Sequence, residues 1–583
     1  MSQNSNYDKH PCFKVSEYSA EVWVDWRAIL NRLKAATGKS GCVLTVECYP
    51  GTFESNIKAA LEQGLQPTQL IHTADLLKPP RVIDQMLDGV LGDDPVFGRM
   101  NDIALQQFFD DVKLYSARER TANWNNGLLI VLGVGATLVA ANPSVLVYAD
   151  MARWEIQGRQ RRNEVANLGS DNFDESPSLK YKRAFFVDWR AADRLKRELL
   201  LRTDFFLDTN GPTPKMVPGR AAREGLKKVS HSPFRVVPYF DPGPWGGHWM
   251  EEVCDLSHDV PNHAWCFDCV PEENSLLLGF GEARIELPAS DLTFSHPREL
   301  LGNSVCSRFG AEFPIRFDFL DTMGGGNLSL QVHPRTEYIR RQFGMAYTQD
   351  ESYYLLDAGE DGCVYLGLKT GIDRDAMVRD LHTAQDGGAS FPAERYVNKF
   401  PAKKHDHFLI PAGTIHCSGK GSMVLEISAT PYIFTFKLWD WDRLGLNGLP
   451  RPIHLDHGIA NIAWERDTDW VKRSLINRIE TLSKNGDYQE ERTGLHELEF
   501  IETRRTWFRK AAAHDTMGTV NVMNLVEGRE VTVESLTGAF EPLVVHYAET
   551  FIVPAAAGPY AIRPSGESEG KVCGTIKAFV RSD

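Results

Sequence analysis

The stretch Asn327–Tyr338, NLSLQVHPRTEY, decides how the second half of this chain is read. Leu328, Leu330 and Val332 alternate with Ser329, Gln331 and His333, which is the period of two of a β-strand. One face is apolar and suits a core. The other carries a carboxamide and an imidazole at i and i+2, so both project the same way. A divalent metal of zinc type takes about four N, O or S ligands, and a rigid strand with two such groups supplies half a site. A strand histidine satisfied by a backbone carbonyl is the plainer alternative.

Partners for such a half-site lie further along. In QDESYYLLDA (Gln349–Ala358), Glu351 heads an aromatic, strand-like run. In HDHFLIPAGTIHCSGKGSMVLEI (His405–Ile427), Pro411-Ala-Gly reads as a tight turn and His416 opens the next strand. Each piece alone is weak. Glu351 also reads as a solvated edge residue, and His405 and His407, on one strand face, compete as ligands.

Taken in order, PWGGHWM, NLSLQVHP, ESYYLL, LIPAGTIHC, LEI and FKLWDWDR resemble the type I phosphomannose isomerase family, over about residues 233–583 and most closely 313–457. The resemblance implies a cupin fold of two double-stranded β-helical barrels. It implies one zinc ion (Zn2+) per chain, held by a Gln-x-His pair, a glutamate on the next strand and the histidine of a P-x-G-T-x-H turn. The matching positions are Gln331, His333, Glu351 and His416. The implied reaction interconverts mannose 6-phosphate and fructose 6-phosphate through a cis-enediolate, whose charge a Lewis acid stabilises. Glu426, in VLEISAT, matches the candidate base. Lys437 stands where the family has an arginine; it keeps the charge and loses the planar fork. Ser329, Arg335 and Arg443 are the accompanying substrate-binding candidates, and a small sugar phosphate is the implied partner.

Two departures qualify this. Gln349 stands where family members carry a lysine two residues before the ligand glutamate, and Arg335 and Thr336 replace acidic residues after the His-Pro pair. They leave open an isomerase of another or an unphosphorylated sugar, and a sugar-binding regulator without turnover. The later YAETFIVPAAAGPYAI (Tyr547–Ile562) resembles the second barrel's version of the turn, without its histidine, and implies a metal-free copy.

Upstream the pattern changes. CVLTVECY (Cys42–Tyr49), GLLIVLGVG and SVLVYADM (Ser144–Met151) alternate with helical segments such as FESNIKAALEQGL and ARWEIQGRQRRNEV, which predicts a parallel α/β sheet. VECYPGTFESNIKAAL (Val46–Leu61) sits where strand, glycine turn and helix would cradle phosphates. Glu54 occupies the lysine position of G-x-x-x-x-G-K-[ST] and would repel them. The outline is similar to uridine-kinase-like enzymes, so a degenerate, inactive kinase-like P-loop domain is expected, with Arg159, Arg161 and Arg162 on a solvated helix face. The expected fold is therefore multidomain: an α/β domain over 1–225, a catalytic cupin barrel over 233–495 and a metal-free second barrel over 496–583. Helical insertions are expected around Asp373–Ala384 and Gly458–Asn485.

Bulk properties fit an ordinary globular protein. Of 583 residues, 42% are hydrophobic and 24% charged, and a net charge of −14 argues against a nucleic-acid partner. The apolar run Gly127–Ala141 is shorter than the roughly 20 residues of a membrane span. The polar start MSQNSNYDKHPCFKVSEY lacks an apolar leader. Among ten cysteines, Cys266-Phe-Asp-Cys269 has pair spacing but no second pair, so reduced, buried thiols and a cytoplasmic location without membrane partners are expected. The oligomeric state is not specified.

Overall fold

The computed structural model describes residues 5–15, 18, 21–494 and 496–581. They form two compact units, one of Cys12–Val229 with Glu272–His296, the other of Ser230–Pro271 and Pro297–Asp583 with the residues up to Pro11. Glu272–His296, embedded in sequence within the second unit, thus belongs to the first. Its strands Ser275–Phe280 and Ala283–Pro288 form a hairpin that pairs with Cys12–Lys14. Among the described residues no helix is long and apolar enough to cross a membrane. All ten cysteines are free thiols, most of them buried, Cys266 and Cys269 included.

The larger unit is built from antiparallel sheets. A six-stranded sheet runs in the order His407–Ile410, Glu351–Ala358, Ser422–Ala429, Ile315–Asp321, Trp265–Cys269, Tyr239–Asp241. A five-stranded sheet runs Val397–Pro401, Cys363–Leu368, His416–Ser418, Leu330–Val332, Phe436–Trp439. Their inner faces meet, because Glu351 of the first touches His333 and His416 of the second. A second pair follows: six strands from Glu480–Lys484 to Cys573–Val580, and four comprising Ala512–His514, Tyr560–Pro564, Glu530–Ser535 and Leu543–His546. Phe508, Met523, Leu525 and Phe551 from one sheet close on Val531, Val533 and Ile562 from the other in a common apolar core.

This second pair begins further upstream than residue 496, with the hairpin Glu480–Lys484 and Tyr488–Gly494. ETLSK is nearly all exposed, so it carries no hydrophobic alternation to announce a strand. One insertion is the helix Arg374–Gln385. The other is two short helices, Leu455–Asn461 and Thr468–Ser474, rather than one long one.

In the smaller unit, seven strands lie in the order Trp23–Val24, Lys215–Pro218, Phe205–Asp208, Val145–Asp150, Cys42–Cys48, Leu128–Gly133, Gln69–His72. The last five are mutually parallel, and Lys215–Pro218 runs antiparallel to both of its neighbours. The parallel strands read as near-continuous Val/Leu/Ile runs because helices cover both faces. Arg159 is not solvated: it is 2% exposed, lies 3.9 Å over the Phe53 ring and donates to the carbonyls of Gly51 and Thr209.

A buried charge triad anchors this unit. The Lys196 ammonium lies 2.8 Å from Asp150 and 2.5 Å from Asp291, all three essentially solvent-free. Burial alone would pull the ammonium down, yet the two carboxylates hold it above its ordinary value. Burial, and then the charge of Asp150, push Asp291 well up. Removing one member of such a group leaves uncompensated charge. Lys196→Met is therefore expected to lower the free energy of unfolding by about 3–5 kcal/mol in urea titration. An unchanged midpoint would mean that the ammonium does not hold the carboxylates together.

Candidate metal centre

The opening strand delivers its polar face to the interior. Gln331 pairs in register with His416 on one side and with Lys437 on the other, so the three side chains share one face of the five-stranded sheet. The turn before His416 is pinned to the His333 strand, since the Gly413 N–H donates to the His333 carbonyl at 3.0 Å. Gly413 has φ +89°, and a Cβ there would sit 3.0 Å from the Asn461 carbonyl oxygen, so the turn requires glycine. Arg466 clamps the same turn through the carbonyls of Pro411 (2.6 Å) and Ala412 (2.8 Å).

Across the interior, Glu351 reaches both imidazoles. Its carboxylate lies 3.1 Å from His333 Nε2 and 2.8 Å from His416 Nε2. His416 Nδ1 donates to the Thr414 carbonyl at 2.9 Å, and His333 Nδ1 faces the Phe434 carbonyl at 3.4 Å. With the Nδ1 protons so used, both Nε2 lone pairs turn inward. His333 Nε2 and Glu351 Oε1 are buried with no hydrogen bond of proper geometry. Burial would raise the Glu351 carboxyl, but the two imidazoles hold it well below the usual range. Nitrogen and oxygen donors that converge this closely suit a positive centre between them, a shared proton or a metal ion. His333, Glu351 and His416 are therefore placed to hold a divalent metal. The Gln331 carboxamide lies 3.2 Å from His416 Nε2, and a half-turn of the amide would present its oxygen instead.

The other candidates divide. Glu426 shares the interior with Glu351: Gln349 Nε2 donates to Glu351 at 3.0 Å and to Glu426 at 3.1 Å, one neutral amide bridging two carboxylates. Burial, then the charges of Glu351 and Asp318, push Glu426 well above the usual carboxyl range, with Arg316 opposing. Lys437 is beside Gln331 and half-buried. Ser329, on the same alternation, hydrogen-bonds Asp440 at 2.8 Å, and Arg443 and Arg451 both engage that carboxylate. Arg335 is turned away, donating to the carbonyls of Asn461 (3.2 Å) and Ile462 (2.7 Å). His405 and His407 are elsewhere. His405 meets Tyr354 at 2.9 Å and Glu527 at 3.2 Å, and His407 packs beside Tyr354 with burial pulling its imidazole down to about 3.

Sequence reasoning missed Arg316 and Asp318, which pair on the strand beside Glu426, and the supports Arg466, Asp440 and Arg451. IRFDFLD carried a signal: Arg316 and Asp318 alternate with Ile315, Phe317 and Phe319, the same polar-on-one-face pattern as Gln331 and His333.

In the smaller unit, the loop after Leu128–Gly133 offers backbone amides, and the chain's own carboxylates fill them. Glu47 accepts from the N–H groups of Gly135 (2.6 Å) and Thr137 (2.7 Å), and burial pushes it up to about 7 in spite of those bonds. Glu54 accepts from the Val134 N–H at 3.1 Å and pairs with His72 at 2.6 Å.

Comparison with known proteins adds the following. A domain family of unknown function (DUF8485) matches residues 25–231. The chain is 27% identical over 219 residues to a mannose-6-phosphate isomerase of Streptococcus mutans, a match covering 37% of this chain and 63% of that protein. It is 25% identical over 243 residues to the mannose-6-phosphate isomerase ManA of Bacillus subtilis, covering 40% of this chain and 69% of that one. The chain thus spans a little under two thirds of the Streptococcus relative. Among solved structures, a mannose 6-phosphate isomerase from Bacillus subtilis is similar with a TM-score of 0.49 at 19% identity, over 60% of this chain and 100% of that one.

A ligand that binds only the folded state stabilises it by about 2.7 kcal/mol at 100 times its dissociation constant. Zinc added to chelator-treated protein is accordingly expected to raise the thermal midpoint by several degrees, and Glu351→Ala to abolish the rise. A full rise in that variant would place the ion elsewhere.

Proposed function

We propose that this chain is a metal-dependent aldose–ketose isomerase that interconverts mannose 6-phosphate and fructose 6-phosphate, with Gln331, His333, Glu351 and His416 as ligands of one zinc ion. The observation that carries the reading is the convergence of these side chains, from two facing sheets, on one buried point. The similarity to mannose-6-phosphate isomerases over about two fifths of the chain supports it. When bound, the metal would supply a Lewis acid that stabilises negative charge on the oxygens of C1 and C2, the carbons between which the hydrogen is moved.

The chain's own residues would do the rest. Glu426, with its proton affinity raised by burial and by Glu351 and Asp318, suits a group that takes a proton from C2 and returns it to C1. Gln349 fixes the Glu426 and Glu351 carboxylates relative to each other, holding the base without neutralising it as a lysine would. Lys437, next to Gln331 and less buried than the cluster, would put positive charge beside the developing oxyanion. Ser329, with Asp440, Arg443 and Arg451, would border the same sheet edge where substrate hydroxyls or phosphate lie. In this reading the two sheets that hold Glu351, His333 and His416 form the catalytic barrel, the sheet pair that begins at Glu480 is a metal-free barrel, and the unit of Cys12–Val229 with Glu272–His296 is a kinase-like domain that no longer transfers phosphate.

One observation favours a second reading, the same chemistry on an unphosphorylated sugar. Arg335 and Arg443 spend donors on backbone carbonyls and on Asp440 instead of leaving them for a phosphate.

Zinc-loaded protein incubated with mannose 6-phosphate in deuterated water is expected to form fructose 6-phosphate and to exchange the C2 hydrogen. Glu426→Gln should lower both by about 10²–10⁴-fold while leaving the metal bound. Exchange with mannose alone would select the second reading, and exchange with neither sugar would end the isomerase assignment.

A further inference from the structure

The second pair of sheets has an interior that is apolar at one end only. Along Cys573–Val580, Cys573 lies in the apolar core, and the period of two puts Thr575, Lys577 and Phe579 on the same inward face. Their cross-strand partners are Thr506, Arg504 and Glu502, inward-facing with the core residue Phe508. On its other side Lys577 pairs with Met523, itself fully buried core. From the facing sheet, His514 follows the core residue Ala512 on the inward face and stacks on Tyr560 at 5.3 Å.

Between these groups lies a cavity of about 650 Å³. Its volume is in the range of small-molecule sites. Most of its charges are committed. Arg504 pairs with Glu502 at 2.7 Å, and Arg581 donates to the His496 carbonyl at 3.3 Å. Lys577 is not committed. It is 6% exposed and lines the cavity; among the described residues its ammonium has no hydrogen bond and no ion pair, only the Phe579 ring at 5.6 Å. His514 is 7% exposed, and its Nε2 has no hydrogen-bond partner. Burial pulls the lysine below its usual value and takes the imidazole down to about 3, so the fold bears a desolvation cost at both.

We propose that this cavity is a second binding site, for a polyhydroxylated small molecule with one anionic group, the class of sugar phosphates and sugar acids. The anionic group would take the place beside Lys577 that no side chain fills. Glu490, Glu502 and Asp515 would accept from hydroxyls, and the Tyr488 and Phe579 rings would cover C–H faces. The site lies wholly within the second sheet pair and does not depend on the metal centre or on the reaction assigned to it.

Isothermal titration of the full, zinc-loaded chain with glucose 6-phosphate, gluconate and glucose tests this. At least one of the two anionic probes is expected to bind with a dissociation constant of about 1 mM or tighter, and glucose more weakly. Lys577→Met should weaken that binding at least tenfold, whereas the double change Gln331→Ala, His333→Ala should leave it unaltered. Glucose 6-phosphate answering alone would assign the site to phosphate esters, gluconate alone to carboxylates. Binding by none of the three, equal binding in Lys577→Met, or binding lost only in the double variant would overturn the proposal. Because the substitution removes a buried charge, the thermal midpoint of Lys577→Met without ligand should equal or exceed that of the parent. A fall would make the lysine a structural element and would also count against a site.

Discussion

Glu351 is a buried carboxylate held between two imidazoles of the opposite sheet. An ionised carboxylate taken out of water without partners costs several kcal/mol, so the sheets close over Glu351 only where His333 and His416 are both in place. That requirement sets the register of three strands at once. A slip of one residue in Leu330–Val332 would turn Gln331 and His333 outward and press Leu330 and Val332 against the charge. The Gly413–His333 hydrogen bond and the Arg466 clamp hold the turn that fixes His416, and so guard the same register from the other side.

The charge at Glu351 also orders its neighbours. Asp318, Glu426 and Glu351 lie on adjacent strands of one sheet, with Arg316 as the cation paired to Asp318. Three carboxylates in a desolvated space raise one another's affinity for a proton, and one arginine offsets only part of that. Asp318 has the arginine and Glu351 the imidazoles, so Glu426 is the one whose affinity for a proton is raised. Gln349 fits this division, because its Nε2 donates to both carboxylates and brings no charge that would level them. A lysine in its place would lower the affinity of Glu426 for a proton and so weaken it as a base.

Much of this was legible, and what was not has a common cause. The period of two in NLSLQVH and the proline-glycine turn before His416 are local, and the strands form where they indicate. Choosing His416 over His405 and His407 needed the order of motifs, because nothing local to those two histidines says that one meets Glu527 and the other packs on Tyr354. Arg466 lies more than fifty residues beyond the turn it clamps, and Asp440 more than a hundred beyond Ser329. The strand Glu480–Lys484 was invisible because it is an exposed edge, where charge replaces alternation. Arg159 looked solvated for the converse reason: its burial comes from Phe53 and from distant carbonyls, which the helix's own polar run does not reveal.

Backbone amides that converge in a loop after a parallel strand can be satisfied by a bound anion or by the chain itself. In the smaller unit they are satisfied by Glu47 and Glu54, each already hydrogen-bonded there. A phosphate brought to the same amides would have to displace two carboxylates and would meet their charge while doing so. Glu54, set at the position where a phosphate-binding loop has its lysine, also pairs with His72. Burial pushes the Glu47 carboxyl up to about 7 even against its three donors.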